Sequence, residues 1–476
     1  MGLVLALERM LWTIPLPLLL MGSHLYFTVH LRGIQRHTLR GIRLSVGSGS
    51  KNGSGISAWG ALATSLAAAI GTGNIIGVAT AVALGGPGAV FWCWLTGVLG
   101  MATRYGETLV CLLHRKKNMA GENTGGAMYV MRDVLGWRRL GALFAMMGIA
   151  AAVGTGALIQ SNAIAQTLGE KGVPLLLTGI IVTAAAAAVI LGGVGSIAKV
   201  CEGLVPAMSG LYLLGCIAVL IRCGGQVLPA LNLILQSAVT PRAAGGGFVG
   251  STILTAARYG MARGLFTNES GMGTAPMAAA AGPGEKPQEE ALISMTGVFW
   301  DTVVICAMTG ITLVAAMLEI PERFEHATAG TLCFRAFSCI PGGEAILTVS
   351  LITFAFSTVV GWCYYGECCT AYLFGEKGVL PYRIAYLLSA FLGAFAGLEL
   401  VWSIGGILAG LMAAPNVMML FALRNEITAP AFSGKRRSLR EIGCFSAQNR
   451  YNRKHKGNRT GSTQSGGCPI RKEEPL

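Results

Sequence analysis

Two glycine-rich stretches stand in the middle of long apolar segments: Ile70-Gly71-Thr72-Gly73-Asn74 and Phe266-Thr267-Asn268-Glu269-Ser270-Gly271-Met272-Gly273. In an ordinary membrane helix, paired glycines indicate close packing against a neighbouring helix. Here they stand beside Thr, Asn and Glu at bilayer depth, where polar side chains are costly. The pattern therefore predicts two spanning helices that are interrupted near the centre of the membrane.

The composition is that of a membrane protein. Of 476 residues, 53% are hydrophobic and 12% are charged, whereas about 25% are charged in a soluble globular protein. The mean hydropathy is +0.60. The sequence thus predicts an all-α polytopic protein, because helices satisfy their own backbone hydrogen bonds in lipid.

Eleven segments are long and apolar enough to span a bilayer, which takes about 20 residues. Their predicted ranges are 10–31, 57–84, 88–112, 140–168, 173–192, 203–222, 250–281, 291–317, 343–374, 381–398 and 401–423. Each interrupted span is followed by four further spans, and the two sets of five begin on opposite sides of the membrane. This inverted five-plus-five repeat with two broken helices is typical of secondary transporters with a midplane site.

The repeats divide the chain into four predicted parts. Residues 1–56 hold an extra transmembrane helix and a basic cytoplasmic loop, residues 57–222 form the first repeat, and residues 250–423 form the second. Residues 424–476 form a basic, polar tail whose composition favours disorder near the inner leaflet. This tail carries +8 of the net charge of +14, so the charge does not indicate a nucleic-acid surface and no nucleic-acid partner is expected.

Lys and Arg in the loops predict the orientation, because basic loops stay in the cytoplasm. With the N-terminus outside, the inner loops hold 15 basic residues and the outer side holds 6, without the tail. We therefore expect a multi-pass protein of the inner cell membrane with an external N-terminus and a cytoplasmic C-terminus.

The two interruptions offer the groups that a zwitterionic amino acid requires. Unwinding at Gly71 to Gly73 frees N–H groups beside the positive end of a half-helix, which suits a carboxylate. Unwinding near Phe266 and Thr267 frees carbonyl oxygens, which suit an ammonium. In the fourth span, Gln160 and Asn162 could add amide donors, although amides on membrane helices also hold helices together.

Ser357, Thr358 and Trp362 lie within the ninth predicted span. The two hydroxyls either bond back to carbonyls one turn earlier or serve as oxygen ligands of a hard cation. Trp362 lies one turn beyond Thr358 on the same face. It is either an interfacial anchor or, given its depth in the span, a wall of the substrate pocket. Phe266 would form another wall and leave little room for a large side chain.

Long strings of the sequence resemble the alanine/glycine:cation symporter family. They are Gly71-Thr72-Gly73-Asn74-Ile75-Ile76-Gly77-Val78-Ala79-Thr80-Ala81, Gly85-Gly86-Pro87-Gly88-Ala89-Val90-Phe91-Trp92, Gly264-Leu265-Phe266-Thr267-Asn268-Glu269-Ser270-Gly271-Met272-Gly273-Thr274-Ala275-Pro276, Thr296-Gly297-Val298-Phe299 with Asp301, and Tyr364-Tyr365-Gly366-Glu367. The likeness covers roughly residues 55–423. It implies a sodium-coupled, sometimes proton-coupled, importer of alanine or glycine with the leucine-transporter-like fold of the amino acid/polyamine/organocation superfamily. Ser270 departs from the usual Ala, and Met128 lacks the usual preceding Pro.

The resemblance also implies the site residues. With the matching Gln160 and the pocket aromatic Trp362, the expected substrate-binding residues are Gly71, Thr72, Gly73, Asn74, Gln160, Asn162, Phe266, Thr267, Gly271 and Trp362. Related folds place sodium, the coupling ion, between two backbone carbonyls and a hydroxyl pair, which are here Ala67, Ile70, Ser357 and Thr358. The same analogy gives a second ion at Asn74 and Thr267, and no organic cofactor is implied.

Other functions are weighed against the symporter. A proton-coupled or exchange transporter on the same fold stays open, with Glu269 as its candidate carrier, and so does a passive channel or sensor. An enzyme is disfavoured because the six histidines are expected outside the midplane and form no catalytic constellation. A primary pump is disfavoured because no phosphate-binding Gly-x4-Gly-Lys-Ser/Thr loop is present. The particular amino acid and the oligomeric state stay open.

Buried charges are expected to pair, because an unpaired charge at depth costs several kcal/mol. Arg258 and Arg263 share the interrupted helix with Glu269, and Asp301 lies in the next span. Pairing among these four is the favoured interpretation over a proton relay.

Further contacts are predicted near the membrane surfaces. Arg104, Glu107 and Glu367 are expected to neutralise one another toward the cytoplasmic side. Most of the 13 cysteines behave as small apolar residues, although Cys333 and Cys339 share a predicted external loop and could pair.

Overall fold

Helices dominate the computed structural model, which describes residues 2–47, 56–118, 121–241, 252–283 and 286–430. The chain up to Ala429 groups into one compact unit. Most of the predicted basic tail, from residue 431 onward, lies outside the described residues.

An extra helix precedes the first repeat. It consists of α1 (Gly2–Thr13) and α2 (Pro15–His30), which together form an apolar rod of 29 residues. Its buried residues recur at intervals of three or four, so one face packs against the protein and the other faces outward. They are Trp12, Leu16, Leu20, His24 and Phe27, among others. A 3₁₀ turn (Ile34–His37) and α3 (Thr38–Gly47) follow.

The first half of the bundle begins with the first broken helix, α4 (Ala58–Ala69) and α5 (Val78–Gly85), joined through a π-helix at Gly73–Gly77. The elements that follow are α6 (Gly88–Leu113), the antiparallel strands β1 (Lys116–Lys117) and β2 (Asn123–Thr124), α7 (Ala127–Asp133), α8 (Arg138–Ala151), a π-helix (Ala152–Leu158), α9 (Ile159–Gly169), α10 (Leu175–Ile190), α11 (Gly193–Arg222), a 3₁₀ turn (Gly224–Gln226) and α12 (Val227–Val239).

The second half begins with the second broken helix, α13 (Ile253–Asn268) and α14 (Ala275–Ala280). The elements that follow are α15 (Pro287–Val298), a π-helix (Phe299–Cys306), α16 (Ala307–Glu319), a 3₁₀ turn (Pro321–Phe324), α17 (Ala329–Phe337), α18 (Gly343–Phe374), a 3₁₀ turn (Glu376–Gly378), α19 (Val379–Gly393) and α20 (Leu398–Ala422). Within the described ranges, four helical segments of at least 15 residues follow each broken helix.

The lengths of the helices test the predicted spans. Six continuous helical segments in the described residues are long and apolar enough to cross a membrane, or seven with the bent pair α4 and α5. Helix α10 is apolar but shorter. The count of eleven spans therefore stays a prediction. Helix α12 was not predicted, because its 13 residues fall below the length of a span.

The first break frees two backbone carbonyls. Helix α4 ends at Ala69, Ile70 is extended, and the two halves are bent by 52°. The side-chain oxygen of Asn74 accepts the Gly71 N–H at 2.9 Å, and the Asn74 N–H donates to the Gly71 carbonyl at 3.2 Å. In a continuous helix these two N–H groups would have bonded the carbonyls of Ala67 and Ile70.

The second break begins directly after Asn268. Glu269, Gly271 and Gly273 adopt left-handed φ angles of 53°, 84° and 78°. Phe266 and Thr267 are still helical, and the Thr267 hydroxyl donates within its own helix, 3.1 Å from each of two carbonyls. Helix α13 thus ends at Asn268, one residue after Thr267, and its last turn ends in carbonyls that lack helical partners.

Candidate functional site

A cavity lies between the two breaks. It collects seven of the residues that the sequence singled out: Gly71, Gly73, Gln160, Phe266, Thr267, Thr358 and Trp362. Its remaining lining residues are Ala68, Ala69, Thr155, Glu269, Met272 and Ala409. The breaks face each other closely, since a Cβ atom at Gly73 would lie 3.0 Å from the Thr267 methyl group. The cavity is therefore built from both halves of the bundle.

Gln160 joins α9 to the first break. Its side-chain oxygen accepts the Thr72 hydroxyl at 3.1 Å and lies 3.5 Å from the Thr72 N–H. Its amide nitrogen donates to the Thr155 carbonyl at 3.3 Å. These contacts hold the amide at the cavity wall, where its polar atoms can reach a ligand.

Four oxygens meet beside the cavity. The Thr358 hydroxyl lies 3.1 Å from the Ala67 carbonyl oxygen and 3.2 Å from that of Ile70. The Ser357 hydroxyl lies 3.3 Å from each of the same two oxygens. Both hydroxyls also approach the Phe354 carbonyl, at 2.8 Å for Ser357 and 3.1 Å for Thr358. The oxygen cage, as we call Ala67, Ile70, Ser357 and Thr358, thus contains the two carbonyls that the first break frees.

The oxygen cage has more acceptors than protons. Each hydroxyl can donate one hydrogen, so two hydrogens serve six close oxygen–oxygen contacts. The remaining contacts bring lone pairs together, which a cation would stabilise. Oxygens that bind a hard cation at about 2.3–2.6 Å lie about 3.3–3.7 Å apart at right angles, close to the spacing observed.

Four of the expected substrate residues do not line the cavity: Thr72, Asn74, Asn162 and Gly271. The Thr72 hydroxyl donates to the Gln160 side chain. The Asn74 amide nitrogen donates to an Asp301 carboxylate oxygen at 2.6 Å. The Asn162 amide nitrogen donates to the carbonyls of Gly393 and Ala396, at 3.0 and 2.7 Å, so it links helices as its alternative interpretation states. The Gly271 N–H donates to Glu107 at 3.1 Å behind the second break.

The residues expected at a second ion share a neighbour. The side chains of Asn74 and Thr267 both contact the Cys306 sulfur, at 3.3 and 3.8 Å, next to the Asp301 carboxylate. The Asn74 oxygen is engaged by the Gly71 N–H. Because the Asn74 oxygen is already engaged, the Asp301 carboxylate supplies the oxygen atoms to which a cation at this place would bind.

Aromatic side chains close the apolar part of the cavity. Trp362 is buried, and Gly156 on the facing π-helix leaves room for it, because a Cβ atom there would lie 2.4 Å from the Trp362 Cβ. The Phe266 ring is 6.1 Å from that of Trp12 and 6.4 Å from that of Trp402. Both predicted walls are thus held in place by packing.

The charges at the second break do not pair as predicted. Within the described residues, neither Arg258 nor Arg263 forms an ion pair with Glu269 or Asp301. Arg258 lies over the Tyr259 ring and Arg263 over the Trp402 ring, at 5.3 and 5.5 Å. Aromatic faces attract these cations without a carboxylate, so the expected pairing is wrong.

The two carboxylates bond to neutral partners instead. Glu269 accepts the Thr274 hydroxyl at 2.7 Å, and Asp301 accepts the Thr302 hydroxyl at 2.6 Å. These hydrogen bonds compensate part of the cost of burial. Glu269 also lines the cavity in a left-handed conformation that is unusual for a residue with a side chain.

The predicted group of Arg104, Glu107 and Glu367 divides into two pairs. Arg104 and Glu107 lie 3.4 Å apart, fully buried, on α6. Glu367 instead forms a two-pronged ion pair with Arg383, with two contacts of 2.8 Å. The two parallel contacts match the planar donors of the Arg383 guanidinium to the two carboxylate oxygens.

The structure answers the pairing question that the sequence left open for two cysteines, and it corrects the expected place of one histidine. Cys333 and Cys339 are free thiols, and they bond to the carbonyls of Ile75 and Arg335 rather than to each other. His24 lies inside the bundle, where its ring nitrogen is 2.8 Å from the Thr103 hydroxyl. This position corrects the expectation that all six histidines lie outside the midplane.

Sequence reasoning missed several lining residues. Thr155, Met272 and Ala409 line the cavity, and Thr155 lies on a π-helix. The described part of the chain contains three π-helices, at Gly73–Gly77, Ala152–Leu158 and Phe299–Cys306. Each carries a residue of the cavity or of the polar group around Asp301 beside it. One sequence signal for Thr155 was available, because Gly154-Thr155-Gly156 places a polar residue between two glycines in mid-span. The π-helix found there is a further indication, since π-helices often mark functional sites.

Comparison with solved structures confirms the fold. The crystal structure of MhsT in complex with L-phenylalanine matches with a TM-score of 0.52 at 13% sequence identity, covering 78% of this chain and 90% of that chain. The fold and the site define a multi-pass membrane protein of the leucine-transporter-like class. Within that class, the chain belongs to the sodium:alanine symporter family, which matches residues 2–434.

Two relatives support this membership across nearly the whole chain. The sodium/alanine symporter AgcS of Methanococcus maripaludis is 41% identical over 437 residues, which cover 90% of this chain and 96% of the relative. An uncharacterized transporter of Haemophilus influenzae is 44% identical over 425 residues, which cover 89% and 93%. The family resemblance inferred from the sequence strings is thereby confirmed.

Proposed function

We propose that this protein imports a small neutral amino acid, alanine or glycine, together with sodium by alternating access. The observation that carries the proposal is the oxygen cage directly beside the cavity. Thr358 belongs to both, and a Cβ atom at Gly71 would lie only 2.6 Å from its hydroxyl. An ion in the cage would therefore hold the first break in the shape that receives the substrate.

The cavity has suitable partners for a zwitterion. The substrate carboxylate lies toward the first break, where Gln160 and Thr72 meet the positive end of a half-helix. The ammonium lies toward Glu269 and the last turn of α13. Trp362 and Phe266 enclose the side chain, which favours a methyl group or a hydrogen over a larger substituent.

The proposal also includes a second sodium ion. Asp301, Asn74 and Thr267 supply it with a carboxylate, an amide oxygen and a hydroxyl next to the first break. Binding requires the Asn74 amide to turn its oxygen from the Gly71 N–H toward the ion.

The cellular setting follows the loop charges. The protein resides in the inner cell membrane with its N-terminus outside and its C-terminus in the cytoplasm. In this orientation, a sodium gradient directed into the cell drives uptake.

A proton-coupled transporter or exchanger is the second candidate. Glu269 favours it, because this carboxylate lines the cavity without a basic partner among the described ion pairs. Its protonation would remove a buried negative charge during transport.

Uptake of labelled alanine into proteoliposomes distinguishes the two. We expect electrogenic uptake with an inward sodium gradient and almost none when choline replaces sodium. Equal uptake without sodium, driven by an inward proton gradient or by internal alanine, would favour the second candidate instead.

A further inference from the structure

The extra N-terminal helix packs directly against the walls of the cavity. Three of its residues, Trp12, Leu16 and Leu20, share one hydrophobic cluster with residues of α13, the second break and α20. Among these partners are Met272 and Ala409, which line the cavity, and Phe266 packs against the same cluster. The cavity wall on this side is thus a double layer whose outer half comes from α1 and α2.

Glycines on α20 allow this close approach. Gly406 and Gly410 are one turn apart, the spacing of a small-residue contact surface in membrane helices. A Cβ atom at Gly410 would lie 2.4 Å from a Leu16 methyl group. The Trp12 indole N–H donates to the Gly406 carbonyl at 3.1 Å, which fixes the ring.

The fixed Trp12 ring supports Phe266 from behind. The two rings meet edge to face, with centroids 6.1 Å apart and an interplanar angle of 68°. Trp12 is 7% exposed, so the contact is tightly packed. Because interiors are close-packed, Phe266 cannot retreat from the cavity while the indole occupies this place.

We propose that Trp12 determines substrate size by positioning Phe266, so that the extra helix is a working part of the substrate site. Trp12 does not touch the substrate. It sets the limit to which the Phe266 ring can yield, and this limit excludes amino acids with branched or long side chains.

The test, which rests on the proposed function, compares variants in alanine-uptake proteoliposomes. For each variant, inhibition constants for unlabelled leucine and alanine are measured against labelled alanine. In Trp12→Leu, the inhibition constant for leucine divided by that for alanine should fall by about tenfold, because a cavity behind Phe266 lets the ring move back. Trp12→Phe retains an aromatic edge and should restore most of the wild-type ratio. Trp94→Leu is the matched control, because it removes a tryptophan that is 40% exposed, and it should keep the wild-type ratio of inhibition constants.

The outcomes separate this inference from the proposed function. A Trp12→Leu protein that transports alanine with a leucine-to-alanine ratio within twofold of wild type overturns the inference alone. Wild-type protein without sodium-driven alanine uptake overturns both. If Trp12→Leu does not fold, Gly410→Ala provides the test. Its Cβ would lie 2.4 Å from Leu16 and 3.4 Å from the Trp12 ring, so it displaces the extra helix and should also lower the ratio of inhibition constants. An unchanged ratio in Gly410→Ala overturns the inference.

Discussion

At the scale of single residues, Thr358 connects the proposed sodium site with the proposed substrate cavity. Its hydroxyl points at two carbonyls freed by the first break, and its side chain lines the cavity. A change in one site therefore reaches the other across a single side chain. This short path distinguishes the arrangement from two sites that communicate through whole-helix movements.

Gln160 and Asn162 form a natural pair of test positions on α9. Gln160→Ala removes an amide at the cavity and should weaken alanine binding about tenfold, as expected for a hydrogen bond to a charged group. Asn162→Ala removes two interhelical bonds and should lower stability by about 1 kcal/mol with alanine affinity nearly unchanged. Equilibrium alanine binding and thermal unfolding in detergent measure both effects. Weaker alanine binding in Asn162→Ala, with only lower stability in Gln160→Ala, would contradict these assignments and make Asn162 the substrate residue.

Trp362 should limit the size of the substrate. Trp362→Leu enlarges the cavity, so leucine should begin to compete for alanine uptake while alanine affinity falls, because its methyl group loses contacts on one side. A panel of unlabelled amino acids measures the profile, with Trp94→Leu as the control. Strong competition by leucine against wild type, or an identical profile in the variant, would contradict a pocket role for Trp362.

Residue identity alone could not say which amide faces the cavity. Positions 160 and 162 are about 200° apart around a helix, so only one can face a given partner. The sequence named both, and the structure separates them because Asn162 meets the carbonyls at the end of α19. Those carbonyls come from a distant part of the chain, which no local pattern reveals.

At the scale of elements, the two breaks depend on glycine for different reasons. A Cβ atom at Gly71 would lie 2.6 Å from the Thr358 hydroxyl. Gly271 has a φ of 84° and its Cβ would meet Leu20 at 2.7 Å. The first position is restricted by space alone, whereas the second is restricted by both backbone conformation and space.

Valine at either break should abolish uptake. Gly71→Val and Gly271→Val each introduce a β-branched side chain where none fits, while hydropathy and membrane insertion are preserved. Uptake should fall at least about 100-fold, as expected when a site loses its geometry. Gly210→Val on α11 is the control, because a Cβ there has nothing within 4 Å. Normal transport by either break variant would reduce that glycine to a helix-packing role.

The positions of the breaks were predictable, but their details were not. Glycine next to Thr, Asn and Glu at bilayer depth located both. In the second break, helix α13 continues through Asn268, and Glu269 is the first residue with a left-handed φ. The π-helices carry no comparable signal, since one inserted residue in a helix leaves the apolar pattern almost unchanged.

At the scale of the whole molecule, the inverted repeat joins residues far apart in sequence. The first break and α18 build the oxygen cage, and the first and second breaks enclose the cavity. The extra N-terminal helix was predicted as a span but not as a neighbour of the cavity. Its outward face is as apolar as its buried face, with Leu18 and Leu25 exposed and Leu16 and Leu20 buried, so the sequence does not show which face packs against α20.

The central claim is that sodium in the oxygen cage organises the alanine site, and equilibrium alanine binding as a function of sodium concentration tests it most directly. In Thr358→Ala, the sodium concentration for half-maximal alanine binding should rise about tenfold or more, because a ligand oxygen is lost. Alanine affinity at saturating sodium should change much less. Thr353→Ala, whose hydroxyl bonds back to Val349 on the same helix, should match wild type. An unchanged sodium requirement in Thr358→Ala would contradict the account.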